Sequence, residues 1–319
     1  MPRPVPRFQD FIGRKRTVDY LRRLLTGARA RDEPFPHALF MGPSGAGKTL
    51  LARALATEFD TTVINAMGYD TREKLAQKLS ELRACDFLFI DESHRLGPYE
   101  QELLCEAITD QSIPNLHGTG GQNTPEEERV SVQPWTLVLA TDQPGCLLNA
   151  LLKRIVIRVP LGFYPPRELR EIVAALAARE KLLLSPQAMG RIATASGRLP
   201  RRAEHLLLEL RRFFPDSETR QLSLGDVRTF LRARGEDRAG LDPLARRYLR
   251  ALARRGTLSL QSLVLLLDIA DPAYLKREVE APLVRRGLVE ILPRGRRLTP
   301  RGRKLVGRGK RSESEVGQS

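Results

Sequence analysis

The stretch HALFMGPSGAGKTLLARALATEF, residues 37–59, restricts the fold more than any other part of the chain. Ala38 to Met41 are short and apolar, which predicts a buried strand. From Thr49 to Phe59, Leu51, Ala54 and Leu55 recur on one face, which predicts a helix. Between them Gly42, Pro43, Ser44, Gly45, Ala46, Gly47, Lys48 and Thr49 satisfy the pattern G-x-x-x-x-G-K-[ST] in full. Glycines let successive backbone N–H groups point at phosphate oxygens, and the N-terminus of the helix, through Leu50, adds partial positive charge. Lys48 is expected to reach β- and γ-phosphates, and the Thr49 hydroxyl to ligate magnesium. A strand, a glycine loop and a helix in this order predict an α/β P-loop core that binds Mg-ATP.

A second stretch, DFLFIDESHRL at residues 86–96, runs four apolar residues into two adjacent carboxylates. Such a pair at a strand end is electrostatically costly unless a cation shares it. In a P-loop fold the acidic strand is expected beside the first strand, with Asp91 holding the magnesium and Glu92 polarising the attacking water. Hydrolysis rather than storage of nucleotide is therefore the expected outcome. DESH alone also fits a helicase with two tandem motor cores, but the chain has no second motif set and no room for one.

The 319 residues suffice for two or three domains, and 41% apolar residues can bury a core. No run reaches the roughly 18 apolar residues that a membrane span needs, and the start MPRPVPRFQDF has no signal-peptide character. Cys85, Cys105 and Cys146 are too few and too scattered for a disulfide framework or zinc site. These features predict a reduced, cytoplasmic protein without a membrane partner. The formal net charge is +15. Residues 241–311 hold 18 Lys and Arg against 6 Asp and Glu, so +12 lies in under a quarter of the chain. Concentrated positive charge suggests nucleic acid as partner.

Further on, PWTLVLATDQPG at residues 134–145 predicts another buried strand, from Trp135 to Ala140, ending in Thr141. With LLNALLKRIVIRVPLGFY and SGRLPRRAEHLLLELRRF downstream, the ordered set resembles the AAA+ ATPases. Within them it resembles the RuvB family, the hexameric motors of Holliday-junction branch migration. FQDFIGRKR is similar to the family's dyIGQ segment, MGPSGAGKT to its Walker A, and LFIDESHRL to LFIDEIHRL except at Ser93. LGFYPPREL, GRLPRRAEHLL and PRGR (residues 293–296) also have counterparts.

The resemblance implies that Thr141 is the first sensor and that Arg201, after Pro200, is a second sensor touching the γ-phosphate. Arg154 would be an arginine finger for the neighbouring subunit, hence a homo-hexamer. Phe11, Ile12 and Tyr164 would form an adenine pocket. It also implies a RuvA-like junction-binding partner docking on the hairpin at residues 112–134. That segment is Gly-rich here, carries Glu126, Glu127 and Glu128, and is poor in apolar residues, which argues against a hydrophobic docking surface. Two further departures stand out. Leu152 replaces the first arginine of PLR, and Asp142 puts a negative charge one residue beyond Thr141.

The C-terminal half is helical and amphipathic as far as Arg234, with Ser185 and Pro186 as a cap and first-turn pair. GLVEILPRGRRLTP then predicts a hairpin with strands at 288–292 and 296–299 after three helices, which resembles a winged helix. Arg294, Arg296 and Arg297 at the wing are expected to contact phosphates of double-stranded DNA, with four-way junctions the substrate that the resemblance implies. Few aromatics interleave with these arginines, so stacking on single strands is disfavoured. The expected organisation is a large ATPase domain at 1–162, a helical lid at 163–238, a winged-helix DNA-binding domain at 239–308 and a disordered tail at 309–319. Three functions fit this pattern: a translocating DNA motor, a nucleotide-gated DNA-binding or loading switch, and a protein-remodelling ATPase. The basic domain argues against the third.

Overall fold

The structure is a computed structural model describing residues 6–115, 129–237 and 239–315, with side chains as far as residue 307. It separates into two compact units, residues 1–180 with 198–208, and residues 181–197 with 209–319.

The first unit opens with a 3-10 turn at Phe8–Asp10 and helix α1, Lys15–Ala30. Strand β1, Ala38–Met41, and helix α2, Lys48–Phe59, flank the glycine loop as the sequence requires. They are followed by β2 (Val63–Met67), α3 (Arg72–Ser80), β3 (Phe87–Asp91), α4 (Pro98–Thr109), β4 (Ser112–Pro114) and β5 (Arg129–Ser131). The unit continues with β6 (Thr136–Thr141), α5 (Asn149–Arg154), β7 (Ile157–Pro160) and α6 (Pro166–Arg179), and residues 200–208 add about two and a half helical turns. Five strands form a parallel sheet in the order β2-β3-β6-β1-β7.

Alternate residues of each strand face opposite sides of a sheet. Phe40, Phe87, Phe89 and Val138 accordingly join one core with Leu51 and Leu55 of α2. Leu39, Leu88, Ile90, Leu137 and Leu139 join the other with Leu103 and Leu104 of α4. Helices on both faces explain why these strands read as unbroken apolar runs. Trp135, expected as the first residue of its strand, lies just before β6.

One expectation is corrected. The acidic strand β3 does not lie beside β1, because β6 pairs with both. Thr141 at the end of β6 is thereby set between the glycine loop and the carboxylates. The hairpin expected at 112–134 is present as the antiparallel pair β4–β5. Its centre, including Glu126, Glu127 and Glu128, lies outside the described residues.

In the second unit, α7 (Pro186–Ala195) starts at Ser185, whose side chain accepts the Ala188 N–H as the Ser-Pro signal predicted. The helix α8, Pro200–Phe213, contributes its C-terminal residues, and α9, Leu224–Ala233, is closed by a reciprocal Ser223–Asp226 cap. Then come α10 (Pro243–Arg255), α11 (Leu260–Leu267), a single turn α12 (Pro272–Tyr274) and a π-helical segment at Leu275–Glu280. After α13, Ala281–Arg285, the strands β8 (Val289–Leu292) and β9 (Gly295–Leu298) pair antiparallel, with Leu258 bridging to Arg296. Three helices and a wing pack around Tyr248, Leu249, Leu263, Leu275 and Leu298.

Gly295 explains the PRGR signature. At φ 140°, a β-carbon there would stand 2.4 Å from the Leu258 carbonyl oxygen, so the wing closes only with glycine. The last helix, α14, runs Pro300–Glu315. Its backbone covers much of the segment expected as a disordered tail, because the Thr299 hydroxyl accepts the Gly302 N–H and starts a helix that continues.

Candidate nucleotide site

The glycine loop holds its shape by backbone conformations that side chains resist. Gly42, Gly45 and Gly47 have positive φ. A β-carbon on Gly42 would meet the Leu161 carbonyl oxygen at 2.0 Å. Lys48 is 7% exposed, and its ammonium donates to the carbonyls of Gly42 (2.8 Å) and Pro43 (3.2 Å). Burial pulls its pKa below the ordinary lysine value, whereas Asp142, Asp91 and Glu92 pull it back up and Arg201 pushes it down again. An ammonium held only by loop carbonyls in a ring of carboxylates is poised to accept an anionic ligand. Leu50, in the first turn of α2, is half exposed.

Thr49 donates its hydroxyl to Asp91 Oδ2 at 2.9 Å, which brings both expected magnesium ligands together across the intervening strand. A hydroxyl and a carboxylate supply the hard oxygen donors that magnesium prefers, so the residues fit the ion. The other oxygen, Asp91 Oδ1, accepts the N–H of Glu92. Glu92 sits in the left-handed region at φ 52°, ψ 40°. Gly68 packs so close to it that a β-carbon there would lie 2.0 Å from the Glu92 carbonyl oxygen. The Glu92 side chain remains 41% exposed, open to water.

Thr141 is buried, and its hydroxyl accepts the Gln143 N–H at 2.9 Å and contacts His94 Nδ1 at 3.2 Å. His94 Nε2 is 3.6 Å from Glu92 Oε2, and Nδ1 is 3.5 Å from Asp142 Oδ1. Arg201, following Pro200 in the first turn of α8, donates to the Ser44 hydroxyl at 3.3 Å, so the second-sensor candidate touches the glycine loop. Ser93 is fully buried and donates to the Ala140 carbonyl, which satisfies the hydroxyl that departs from the family motif.

Tyr164 is buried beneath Arg14, whose guanidinium lies 4.1 Å from the ring centroid. Burial raises the Tyr164 pKa, and Arg14 opposes the rise. Arg14 also donates to the carbonyls of Gly162 and Ala46, joining the ring to the glycine loop. Phe11 lines a separate cavity of about 520 Å³ with Gly13, Arg22 and Glu168, and neither Ile12 nor Tyr164 lines it. Arg154 ends α5, where it donates to the Thr109 hydroxyl (2.7 Å) and the Ala150 carbonyl (2.9 Å), so within the chain it contacts none of the glycine-loop residues. Leu152 packs against the second core, filling with apolar volume a position where the family has an arginine. Sequence reasoning missed His94 and Arg14. The letters DESH and FIGRKR held both, but neither residue type announces its partners.

At the wing, one expectation is corrected. Arg296 is turned inward and donates through Nε (2.7 Å) and a terminal nitrogen (3.3 Å) to Glu280, which is 1% exposed. Tyr248 donates to the same carboxylate at 2.8 Å. Alternation along β9 puts Arg296 and Arg297 on opposite faces, so only one of the two can face solvent. Arg297 is exposed and pairs with Glu290, and Arg294 is in the two-residue turn between the strands.

The sheet order, glycine loop and paired carboxylates define a P-loop ATPase of the AAA+ type, with a winged helix at its C-terminus. Residues 3–161 match the family described as Holliday junction DNA helicase RuvB P-loop domain, and residues 238–307 the RuvB C-terminal winged helix domain. The chain is 34% identical over 295 residues to the Holliday junction branch migration complex subunit RuvB of Paramagnetospirillum magneticum, covering 91% of this chain and 84% of that one. The Chlorobaculum tepidum protein of the same name is 33% identical over 293 residues, covering 90% and 84%. The solved Thermotoga maritima RuvB Holliday junction branch migration motor superposes with a TM-score of 0.80 at 30% identity, covering 95% of this chain and 98% of that one. The chain belongs to the RuvB family. Among the described residues no helix is long and apolar enough to cross a membrane.

Proposed function

We propose that the protein is an ATP-driven motor that assembles as a hexameric ring and moves double-stranded DNA at Holliday junctions. The observation that carries this reading is the Thr49–Asp91 hydrogen bond with Glu92 adjacent, beside a buried lysine in a glycine loop. Membership of a family whose relatives are named as branch migration proteins supplies the substrate.

In this reading Lys48 and the loop amides hold the phosphates, and Thr49 and Asp91 hold magnesium. Magnesium, when bound, neutralises charge on the β- and γ-phosphate oxygens. Glu92 accepts the proton of the attacking water, and Thr141 and Arg201 orient the γ-phosphate from opposite sides of the loop. Arg154 stabilises the transition state in the neighbouring subunit. Ile12 and Tyr164 flank the base, whereas Phe11 lines the separate cavity beside Gly13. Arg294 and Arg297 contact DNA backbone. The β4–β5 hairpin is where a RuvA-like partner would dock, and the sequence between these strands does not favour a hydrophobic contact there.

Leu152 and Asp142 favour a second reading, a nucleotide-gated switch that loads on DNA without moving. Steady-state ATP hydrolysis without DNA, with linear duplex and with a four-way junction separates the two. A motor shows DNA-stimulated turnover that falls by about 10²-fold or more in Glu92→Gln and Arg154→Ala. Slow turnover indifferent to DNA, with ATP still bound, refutes the motor and leaves the switch.

A further inference from the structure

His94 follows the water-activating carboxylate by two residues, on the 3-10 turn Ser93–Arg95, and its side chain is 15% exposed. Each ring nitrogen faces a different functional group. Nδ1 meets the Thr141 hydroxyl at 3.2 Å and Asp142 Oδ1 at 3.5 Å, and Nε2 meets Glu92 Oε2 at 3.6 Å. The Gln143 N–H donates to Thr141 Oγ1, which leaves the hydroxyl its own proton to donate and one lone pair to accept with. With the ring proton on Nε2 the contacts form one directed chain: Gln143 N–H to Thr141, Thr141 O–H to Nδ1, and Nε2–H towards Glu92. Its last link is longer than a hydrogen bond, as catalytic contacts often are before substrate binds.

A single metal ion is a poor occupant of this cluster. One ligand atom each of Glu92, His94 and Asp142 lie within 4.8 Å of one another, but the short contacts of the two carboxylates are to opposite ring nitrogens. An imidazole bridging a hydroxyl and a carboxylate fits better.

We propose that His94 is a positioning residue that couples the γ-phosphate-facing hydroxyl of Thr141 to the water-activating carboxylate of Glu92. The inference rests on the hydrolytic reading of Glu92 and Thr141. A γ-phosphate oxygen at Thr141 takes the hydroxyl proton that Nδ1 otherwise receives. Nδ1, which carries no proton in this tautomer and gains no hydrogen bond from the Asp142 carboxylate beside it, is left without its donor, and the hold of Nε2 on Glu92 changes as phosphate arrives. No proton need cross the chain, because the effect is one of orientation. Asp142, which departs from the family motif, puts a carboxylate 3.5 Å from Nδ1 in a position where the related motif has threonine. Lys48 interacts electrostatically with Asp142 and Glu92 of the cluster, and also with Asp91 and Arg201.

The test is steady-state hydrolysis and fluorescent-nucleotide binding by the full chain, with Glu92→Gln as reference. His94→Ala is expected to lower kcat by about 10- to 100-fold, the cost of a misplaced reacting group, with KM and nucleotide Kd within about twofold. His94→Gln, which keeps a donor near the Nε2 position, regains part of the loss, and His94→Asn, which cannot reach Glu92, does not. His94→Ala added to Thr141→Ala costs less than the product of the two single effects. A kcat unchanged in His94→Ala, or lost together with nucleotide binding, overturns the proposal while a dead Glu92→Gln keeps the hydrolytic reading intact. Normal turnover in Glu92→Gln removes both. Should His94→Ala fold poorly, His94→Gln and His94→Asn decide the same question: a kcat lower in Asn than in Gln with nucleotide binding kept supports the coupling, and an equal kcat refutes it.

Discussion

Replacing Arg296 with alanine should cost the winged helix more than any loss of DNA contact, because its partner Glu280 is 1% exposed and has no access to water. Removing one member of a buried, hydrogen-bonded ion pair costs about 3–5 kcal/mol, since the remaining charge is left uncompensated. At 1.4 kcal/mol per tenfold, this predicts that β8–β9 amides exchange about 10²- to 10³-fold faster in Arg296→Ala. Hydrogen exchange by mass spectrometry on the intact chain reads this directly, region by region. A compensated variant separates the pair's contribution from its geometry. In Tyr248→Phe/Glu280→Leu/Arg296→Met, no polar group of the triad remains buried. The tyrosine must be included, because its hydroxyl donates to the departed carboxylate. That variant should recover the wild-type protection to within about 1 kcal/mol, as apolar replacements of buried ion pairs do. It should also bind duplex DNA as the wild type does, although one arginine is gone. Exchange in Arg296→Ala within about fivefold of wild type would refute the argument, as would DNA binding lost in the compensated variant.

Three further outcomes are expected. His37 accepts the Leu137 N–H at Nδ1, and burial lowers its pKa to about 4. The unfolded chain therefore binds the proton first, so stability is lost as pH falls from about 6.5 to 4, by up to about 3 kcal/mol, and urea titrations of wild type and His37→Gln should diverge in that window. Arg14→Ala uncovers the face of Tyr164 and removes a cation–π contact of about 0.5–2 kcal/mol. If adenine uses that face, ATP should bind more tightly, by up to about tenfold in fluorescence titrations. Arg294→Ala should flatten the log–log salt dependence of duplex binding by about one unit, the signature of one phosphate contact removed.

The sequence was most readable where local chemistry dictates structure. Gly42, Gly47, Lys48 and Thr49 can do little but form a phosphate cradle, and Phe87 to Ile90 can do little but fill a sheet buried on both faces. The Ser185 cap and the wing turn at Pro293 and Arg294 follow from equally local preferences. Information was lost where a partner is distant in sequence. The place of β3 depends on which strand enters between it and β1, and apolar periodicity is silent on strand order. Arg296 looked like its neighbours because Glu280 lies on a π-helical segment that no spacing rule predicts. Asp142 was visible as an odd charge, but its meaning depends on His94, which reaches it from the 3-10 turn after the neighbouring strand. Residues 116–128, where the hairpin departs most from the family, lie outside the described structure.

The close approach of Gly68 to Glu92 has an evolutionary consequence. The residue after β2 and Glu92 share one backbone contact, in which any side chain at residue 68 would displace the Glu92 carbonyl. Mutations at these two positions are therefore not independent events. A lineage could change Tyr69, which is 62% exposed, with little constraint from the site. It could not move off glycine at 68 without also re-solving the left-handed turn that aims Glu92. Divergence in this chain would then be expected to gather around such a pair and leave the pair itself alone.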